Sequence, residues 1–287
     1  MFHTETKNGV TFLTADPLRD GGVLHGFSTR LGGVSPAPWD SLNLDDRRGD
    51  DPANVRENFR RLCAALDMDV RRAVLSRQVH RDDVRTVTAA DAGKGLWTPR
   101  DYDSADALIT DVPGLPLVVF SADCNVILLY DPVRRAVGAA HAGWRGTAAG
   151  IAGKTVRAMR DAYGCDPANI RAAIGPAIGP CCFETDNDVP DALREVLGDE
   201  AAPFMTWNGR KWHIDLKAVN ALWLRKAGVT RIDTCADCTF CRTGLYWSHR
   251  KTGLRRGEIC GLMWSDFNGR RALSASPAPC TGKKAGG

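Results

Sequence analysis

No apolar run in the 287-residue chain approaches the roughly 20 residues that a membrane-crossing helix needs, so a spanning protein is not expected. An excess of one charge sign is also missing. The 38 Lys+Arg and 34 Asp+Glu leave a formal net charge of +4, too small to point to nucleic acid or a polyanionic surface as the main partner. Met1–Val10 has no apolar core of the kind a secretory signal carries. In such a chain ten cysteines read as thiols or metal ligands rather than as a disulfide framework, and the expected compartment is the cytoplasm. There is no internal repeat. With 44% hydrophobic and 25% charged residues, the chain has ample material for a globular core.

The stretch Leu117–Thr147 carries the densest information. Val118–Ser121, Val126–Tyr130 and Ala136–Ala140 are apolar, β-rich runs that predict three strands. Asp131-Pro132 opens the turn between the last two, since proline presets a turn dihedral and cannot donate to a ladder. Centring that turn between Pro132 and Val133 sets Cys124 opposite His141. Opposed Cβ atoms lie about 4.5–5.5 Å apart. A zinc ion, at about 2.3 Å from sulfur and about 2.0 Å from nitrogen, bridges such a pair.

Elsewhere the pattern predicts strands at Gly9–Ala15, Val23–Ser28, Ala73–His80, Ile170–Ile174 and Val229–Thr234. On the Ala73–His80 strand, Ser76, Gln78 and His80 share a face. Asp51-Pro52 reads as an N-cap and first helical residue of a helix reaching Leu66. Further helices are expected from Thr147, as cap, to Tyr163, and at Val189–Leu197 and Leu216–Ala227. The turn Thr29-Arg30-Leu31-Gly32-Gly33 presents Arg30 either to solvent or to an anion. The same choice holds for Arg145 in Gly143-Trp144-Arg145-Gly146, just before the Thr147 helix start. Cys181-Cys182 reads as a pair of buried or lining thiols. Cys235, Cys238 and Cys241 form a C-x2-C-x2-C run, with Cys260 as a possible fourth metal ligand.

These motifs resemble the YfiH-like family, also called the laccase-domain or peptidoglycan-editing-factor family. The similar segments are STRLGGVS (28–35), SLNL (41–44), SRQVH (76–80), DALIT (106–110), SADC (121–124), AHAGWRGT (140–147) and IGPAIGPCCFE (174–184), covering about residues 10 to 250. The resemblance implies an α/β (α+β) fold: one catalytic domain, residues 1–270, of mixed β-sheets flanked by helices; the small, polar, Pro/Gly-rich composition of 271–287 reads as a disordered tail. It implies a metal, zinc or alternatively copper, held by His80, Cys124 and His141, which then also serve catalysis. Arg30, Gln78, Arg145 and Thr147 become the expected substrate-binding residues.

Family activities implied are phosphorolysis of adenosine, inosine and methylthioadenosine with some adenosine deamination, copper-dependent phenol oxidation, or recognition of a cell-wall fragment. Six histidines are too few for a four-copper centre, which favours the nucleoside chemistry with a small-molecule nucleoside and phosphate as partners. The deaminase signature H-x-E with P-C-x-x-C is absent. Residues 251–267 depart from the family pattern and look like a piece of a tyrosine recombinase. No tyrosine follows Tyr246 to act as its nucleophile. Oligomeric state is left open.

Overall fold

The apolar runs of the sequence become strands of two six-stranded sheets stacked face to face. The computed structural model describes residues 1–45, 47, 49–252 and the backbone of 259–264. The expected tail, 271–287, lies outside the described residues. In chain order the strands begin with β1 (Phe2–Lys7), β2 (Val10–Ala15), β3 (Leu24–Ser28), β4 (Val74–Leu75) and β5 (Val84–Thr86). Next come β6 (Ala107–Thr110), β7 (Leu117–Ser121), β8 (Asn125–Asp131), β9 (Ala136–Ala142) and β10 (Arg171–Ile174). The last are β11 (Glu184–Thr185), β12 (Met205–Trp207), β13 (Trp212–Ile214), β14 (Arg231–Thr234) and β15 (Ile259–Trp264). The first sheet runs β1-β2-β3-β15-β7-β4, the second β14-β10-β8-β9-β6-β5, and a small third sheet β11-β13-β12. A strand therefore forms within the recombinase-like stretch, between β3 and β7.

Side-chain alternation explains the layering. Leu117 and Val119 of β7 face Val126, Leu128 and Tyr130 of β8 in the core between the sheets. Val118 and Phe120 point the other way, against Val55, Phe59 and Leu62. Those three lie on helix α2 (Pro52–Ala65), which follows the short α1 (Asp16–Arg19). Ile127 and Leu129 of β8 face outward onto Ile151, Val156 and Met159. The result is helix, sheet, sheet, helix, and strands buried on both faces read as continuous apolar runs.

Helix α2 begins as expected, with the Asp51 carboxylate accepting from the Ala53 N–H at 2.8 Å. Its buried Asn58 fastens the loop that precedes it. The Asn58 amide donates to Ser35 Oγ (2.8 Å) and to the Asn43 carbonyl (2.8 Å), and accepts from the Val34 N–H (2.8 Å). Asn58→Leu removes these bonds, and although Ser35 Oγ keeps Asp50 at 2.6 Å, the Val34 N–H and Asn43 carbonyl lose this partner; each buried unsatisfied group costs about 1–3 kcal/mol. We expect a loss of about 2–4 kcal/mol in urea unfolding; an unchanged midpoint would show that the loop is held some other way.

The Val229–Thr234 strand begins only at Arg231, and two expected elements are interrupted. The Ala73–His80 strand ends at Leu75, apart from an isolated bridge between Arg77 and Ala105. The Thr147–Tyr163 helix is two pieces, α3 (Trp144–Ala148) and α4 (Ile151–Tyr163), divided at Gly150, whose φ is 74°. Thr147 lies inside α3 and caps nothing. The remaining helices are α5 (Asp188–Leu197), α6 (Leu216–Lys226) and α7 (His249–Thr252). Among the described residues no helix is long and apolar enough to cross a membrane.

Candidate active site

The chain crosses from the first sheet to the second between β7 and β8, and the tight turn Ser121–Cys124 makes that crossing. The β8–β9 ladder pairs Val126 with His141 and Asn125 with Ala142. The expected Cys124–His141 opposition is therefore wrong by two residues. The connecting loop spans Pro132 to Arg135, closed by the Asp131 carboxylate accepting from the N–H groups of Val133 (2.8 Å) and Arg134 (3.1 Å). Cys124 sits one residue before β8 and still reaches the imidazole. The ligand atoms of His80, Cys124 and His141 all lie within 4.8 Å of one another. The two imidazole rings meet edge to face, centroids 4.9 Å apart.

His80 arrives by a route that strand periodicity does not describe. Its φ is 61°, a left-handed conformation that a non-glycine residue adopts only when held. Asp106 holds it. The buried Asp106 carboxylate accepts from the backbone N–H groups of Val79 (2.9 Å), His80 (3.1 Å) and Arg81 (3.2 Å). The same carboxylate receives His141 Nδ1 at 2.8 Å, so the other ring nitrogen is left for Cys124 or a metal. The β6–β9 register makes this contact, since Ala107 pairs with Ala140 and, one step on, the His141 N–H donates to the Asp106 carbonyl at 2.8 Å. Burial alone would raise the Asp106 pKa, but His141 and the backbone donors keep it below the ordinary carboxylate value.

The Cys124 thiol is held down to about 6: burial pushes it up, and the neighbouring imidazoles, His141 above all, outweigh that push. His141 is raised to about 9, against its own burial, by Cys124 and Asp106. A thiolate beside two imidazoles, one fixed by a buried carboxylate, is the donor chemistry of a zinc-class ion. The backbone leaves room for such an ion. A Cβ on Gly143 would lie 2.8 Å from His80 Nδ1 and 3.3 Å from Cys124 Sγ. Gly143→Ala should therefore weaken metal affinity about tenfold or more while the melting temperature moves little. Competition with a chelator of known affinity measures this, and an unchanged affinity would mean the ligands have slack to move.

A cavity of about 490 Å³ opens over the triad. Its size suits a small-molecule ligand. Phe120, Ile178, Phe183 and Leu216 supply apolar wall, while Arg47, Arg145 and Arg250 supply cations. Arg145 stacks on Trp144, its guanidinium carbon 4.2 Å from the ring centre.

The other expected substrate-binding residues divide. Gln78 lines the cavity, yet its amide is spent on the Phe120 backbone, donating to the carbonyl (2.8 Å) and accepting the N–H (2.6 Å). Arg30 does not line the cavity. It lies 4.0 Å over the Trp247 ring and donates to the carbonyls of Asp40 and Thr243. Thr147 is fully buried, and its hydroxyl accepts from Asn220 Nδ2 at 3.0 Å. Both hold the scaffold.

The sequence reading passed over Asp106, Arg47, His249 and Arg250. Also passed over was Asp123, at φ 86°, whose carboxylate ties the turn to Thr239 (2.6 Å), Ser248 (3.0 Å) and the Arg250 N–H (2.7 Å). Asp106 and Asp123 stand inside the motifs DALIT and SADC, and an acid beside an apolar strand is the available signal. The cysteine run also divides: Cys235 is buried in the intersheet core. Cys238 and Cys241 meet Cys181 and Cys182 instead. Of the expected buried or lining thiols neither is buried: Cys181 is exposed and lines a surface cavity, and Cys182 is half-buried. The Cys260 side chain lies outside the described residues.

A family model described as multi-copper polyphenol oxidoreductase laccase matches residues 24–266. The chain belongs to that family, the YfiH-like laccase-domain proteins. Among the laccase-domain relatives is YlmD of Geobacillus stearothermophilus, named a purine nucleoside phosphorylase. It is 40% identical over 257 residues, spanning 87% of this chain and 91% of that one. Escherichia coli YfiH carries the same activity name and is 36% identical over 243 residues, 85% of this chain and 94% of its own. The crystal structure of G. stearothermophilus YlmD superposes with a TM-score of 0.84 at 37% identity, covering 92% of this chain and 98% of that one. A Bacillus licheniformis YfiH structure, described as hypothetical, gives 0.84 at 34% identity, covering 91% and 97%.

Proposed function

We propose that this laccase-domain chain is a zinc-dependent purine nucleoside phosphorylase acting on adenosine, inosine and methylthioadenosine, with adenosine deamination as a second reaction of the same site. One observation carries the reading: a Cys124/His80/His141 ligand set with an open side lies at the floor of a cavity that offers both apolar wall and arginines. Three protein ligands are the pattern of a catalytic zinc, which when bound supplies Lewis acidity toward a substrate atom. The phosphorylase names of the relatives agree with it.

Phosphorolysis joins a phosphate oxygen to C1′ of the ribose and breaks the bond from C1′ to the purine nitrogen. The bonding pair leaves with the base, which gains a proton. The chain's own residues would meet each need. Phe120, Phe183 and Ile178 give the purine an apolar surface. Arg145 and Arg250 are the candidates to hold the phosphate, as guanidinium groups match its oxygens in pairs. Arg250 is itself positioned, its N–H on Asp123 and its guanidinium donating to the Glu184 carbonyl at 2.8 Å.

A four-copper oxidase centre does not fit these residues. The triad is the sole histidine-containing ligand group among the described residues, and His3, His25 and His213 are engaged with Asp16, the 15–23 backbone and the Pro180 carbonyl. The deciding experiment incubates purified protein with each nucleoside, with and without phosphate. Adenine and ribose 1-phosphate from adenosine are expected, and inosine without phosphate reports deamination. No product from any of the three nucleosides overturns the proposal. Copper with oxygen uptake on phenols, or cell-wall-fragment binding without turnover, would replace it.

A further inference from the structure

We infer that Cys181, Cys182, Cys238 and Cys241 form a second metal site, a tetrathiolate zinc site separate from the triad, which clips together two loops of the cavity wall. The four sulfurs come from two segments more than fifty residues apart in sequence and lie within 4.8 Å of one another. Cys241 Sγ is 3.4 Å from Cys182 Sγ and 3.8 Å from Cys181 Sγ. Four sulfurs at about 2.3 Å from one zinc stand about 3.8 Å apart along the edges of a tetrahedron. An iron–sulfur cluster puts several irons between its cysteines and spreads their sulfurs further than this.

Two local features agree with an ion at this place. Cys238-Thr239-Phe240-Cys241 has the C-x2-C spacing of a structural zinc turn. Opposite it, the Gly179 N–H donates to Cys238 Sγ at 3.2 Å, the hydrogen bond a thiolate ligand attracts. A side chain at Gly179 would not fit easily, since a Cβ there would lie 3.3 Å from both Cys181 Sγ and Cys238 Cβ. All four protein positions are filled by sulfur, which leaves no place for substrate and marks a structural site.

The ion would act on the cavity through its neighbours. Ile178 and Phe183 bracket Cys181 and Cys182 in sequence, and both line the cavity. Ala177 bridges Cys238, and Thr239, between the other two ligands, donates to the Asp123 carboxylate at 2.6 Å. The same carboxylate anchors the Arg250 backbone. Joining the two segments fixes one apolar wall and one arginine of the cavity at once.

The test is metal content by elemental analysis after equilibration with zinc and removal of the excess. Wild-type protein is expected to hold two zinc ions per chain, Cys238→Ser/Cys241→Ser one, and Cys124→Ala one. Wild-type content that the double substitution leaves unchanged overturns the inference. So does a single wild-type ion that Cys124→Ala removes. A single ion that Cys124→Ala leaves in place keeps this site and instead removes the metal from the proposed catalytic triad. If the double variant does not fold, the wild-type and Cys124→Ala counts still decide. Intact mass of unreduced protein closes the remaining route: a loss of two hydrogens that maps to a Cys182–Cys241 disulfide overturns the site.

Discussion

Cys124→Ala should strip the metal from the triad and lower kcat/KM for nucleoside phosphorolysis on the order of a thousandfold or more, with the fold intact. The change removes the one sulfur of the set and leaves two imidazoles, too few for a catalytic zinc. Little else depends on this side chain, which is half-buried at the cavity floor. Circular dichroism and melting temperature should stay near wild type while bound metal and turnover fall together. Turnover within threefold of wild type would remove the metal from the reaction. The pH dependence follows from the same residues. Without metal, Cys124 is ionised above about 6 and His141 stays protonated up to about 9. A metal needs both deprotonated, so binding releases the His141 proton between these values, and the Cys124 proton as well below about 6. Apparent affinity should therefore rise about tenfold per pH unit from 6 to 9, and fall more steeply than that below 6. A flat affinity from pH 7 to 9 would contradict the raised imidazole.

The hairpin strands were legible because each is apolar on both faces, and a sandwich of two sheets buries both. Its register was not, because the Asp131 carboxylate closes a longer turn than the proline suggested. His80 shows the same limit more sharply. Alternation across Ala73–His80 pointed to a strand, but Asp106, distant in sequence, draws three successive N–H groups to itself and bends the chain away. His80, Cys124 and His141, named from the family motifs, nevertheless come within 4.8 Å of one another. Of the two expected arginines, Arg145 lines the cavity and Arg30 does not. Glycine-rich turns announce exposed backbone, not where a long side chain comes to rest. Arg30 rests on Trp247, more than two hundred residues later in sequence, while Arg47 and Arg250 reach the cavity from stretches with no local signal. The four-cysteine group was half visible, since C-x2-C was read with Cys235 and its true partners lay in the Cys181-Cys182 pair.

Asp106→Asn is expected to lower metal affinity about 10–100-fold and global stability by about 2–4 kcal/mol. The amide matches the carboxylate in shape, so packing is unchanged and the effect isolates hydrogen bonding. The two carboxylate oxygens divide their donors. Oδ2 accepts from Val79 and Arg81, and Oδ1 accepts from His80 and His141 Nδ1. Asparagine has one acceptor oxygen, and its NH2 must face the other set. If NH2 takes the Oδ2 position, it opposes two backbone N–H groups, and the left-handed turn at His80 loses its hold. If it takes the Oδ1 position, it opposes the His80 N–H and forces His141 to present its lone pair at Nδ1. The His141 proton then sits on the nitrogen that must bind metal. In either orientation one of the two imidazole ligands is misplaced. Excess zinc should restore kcat in the variant while KM for the nucleoside stays near wild type, because substrate walls such as Phe183 and Leu216 are untouched. A loss of stability with metal affinity within threefold of wild type would limit Asp106 to holding the fold, and would leave Cys124 and Gly143 as the residues that set the geometry of the ion.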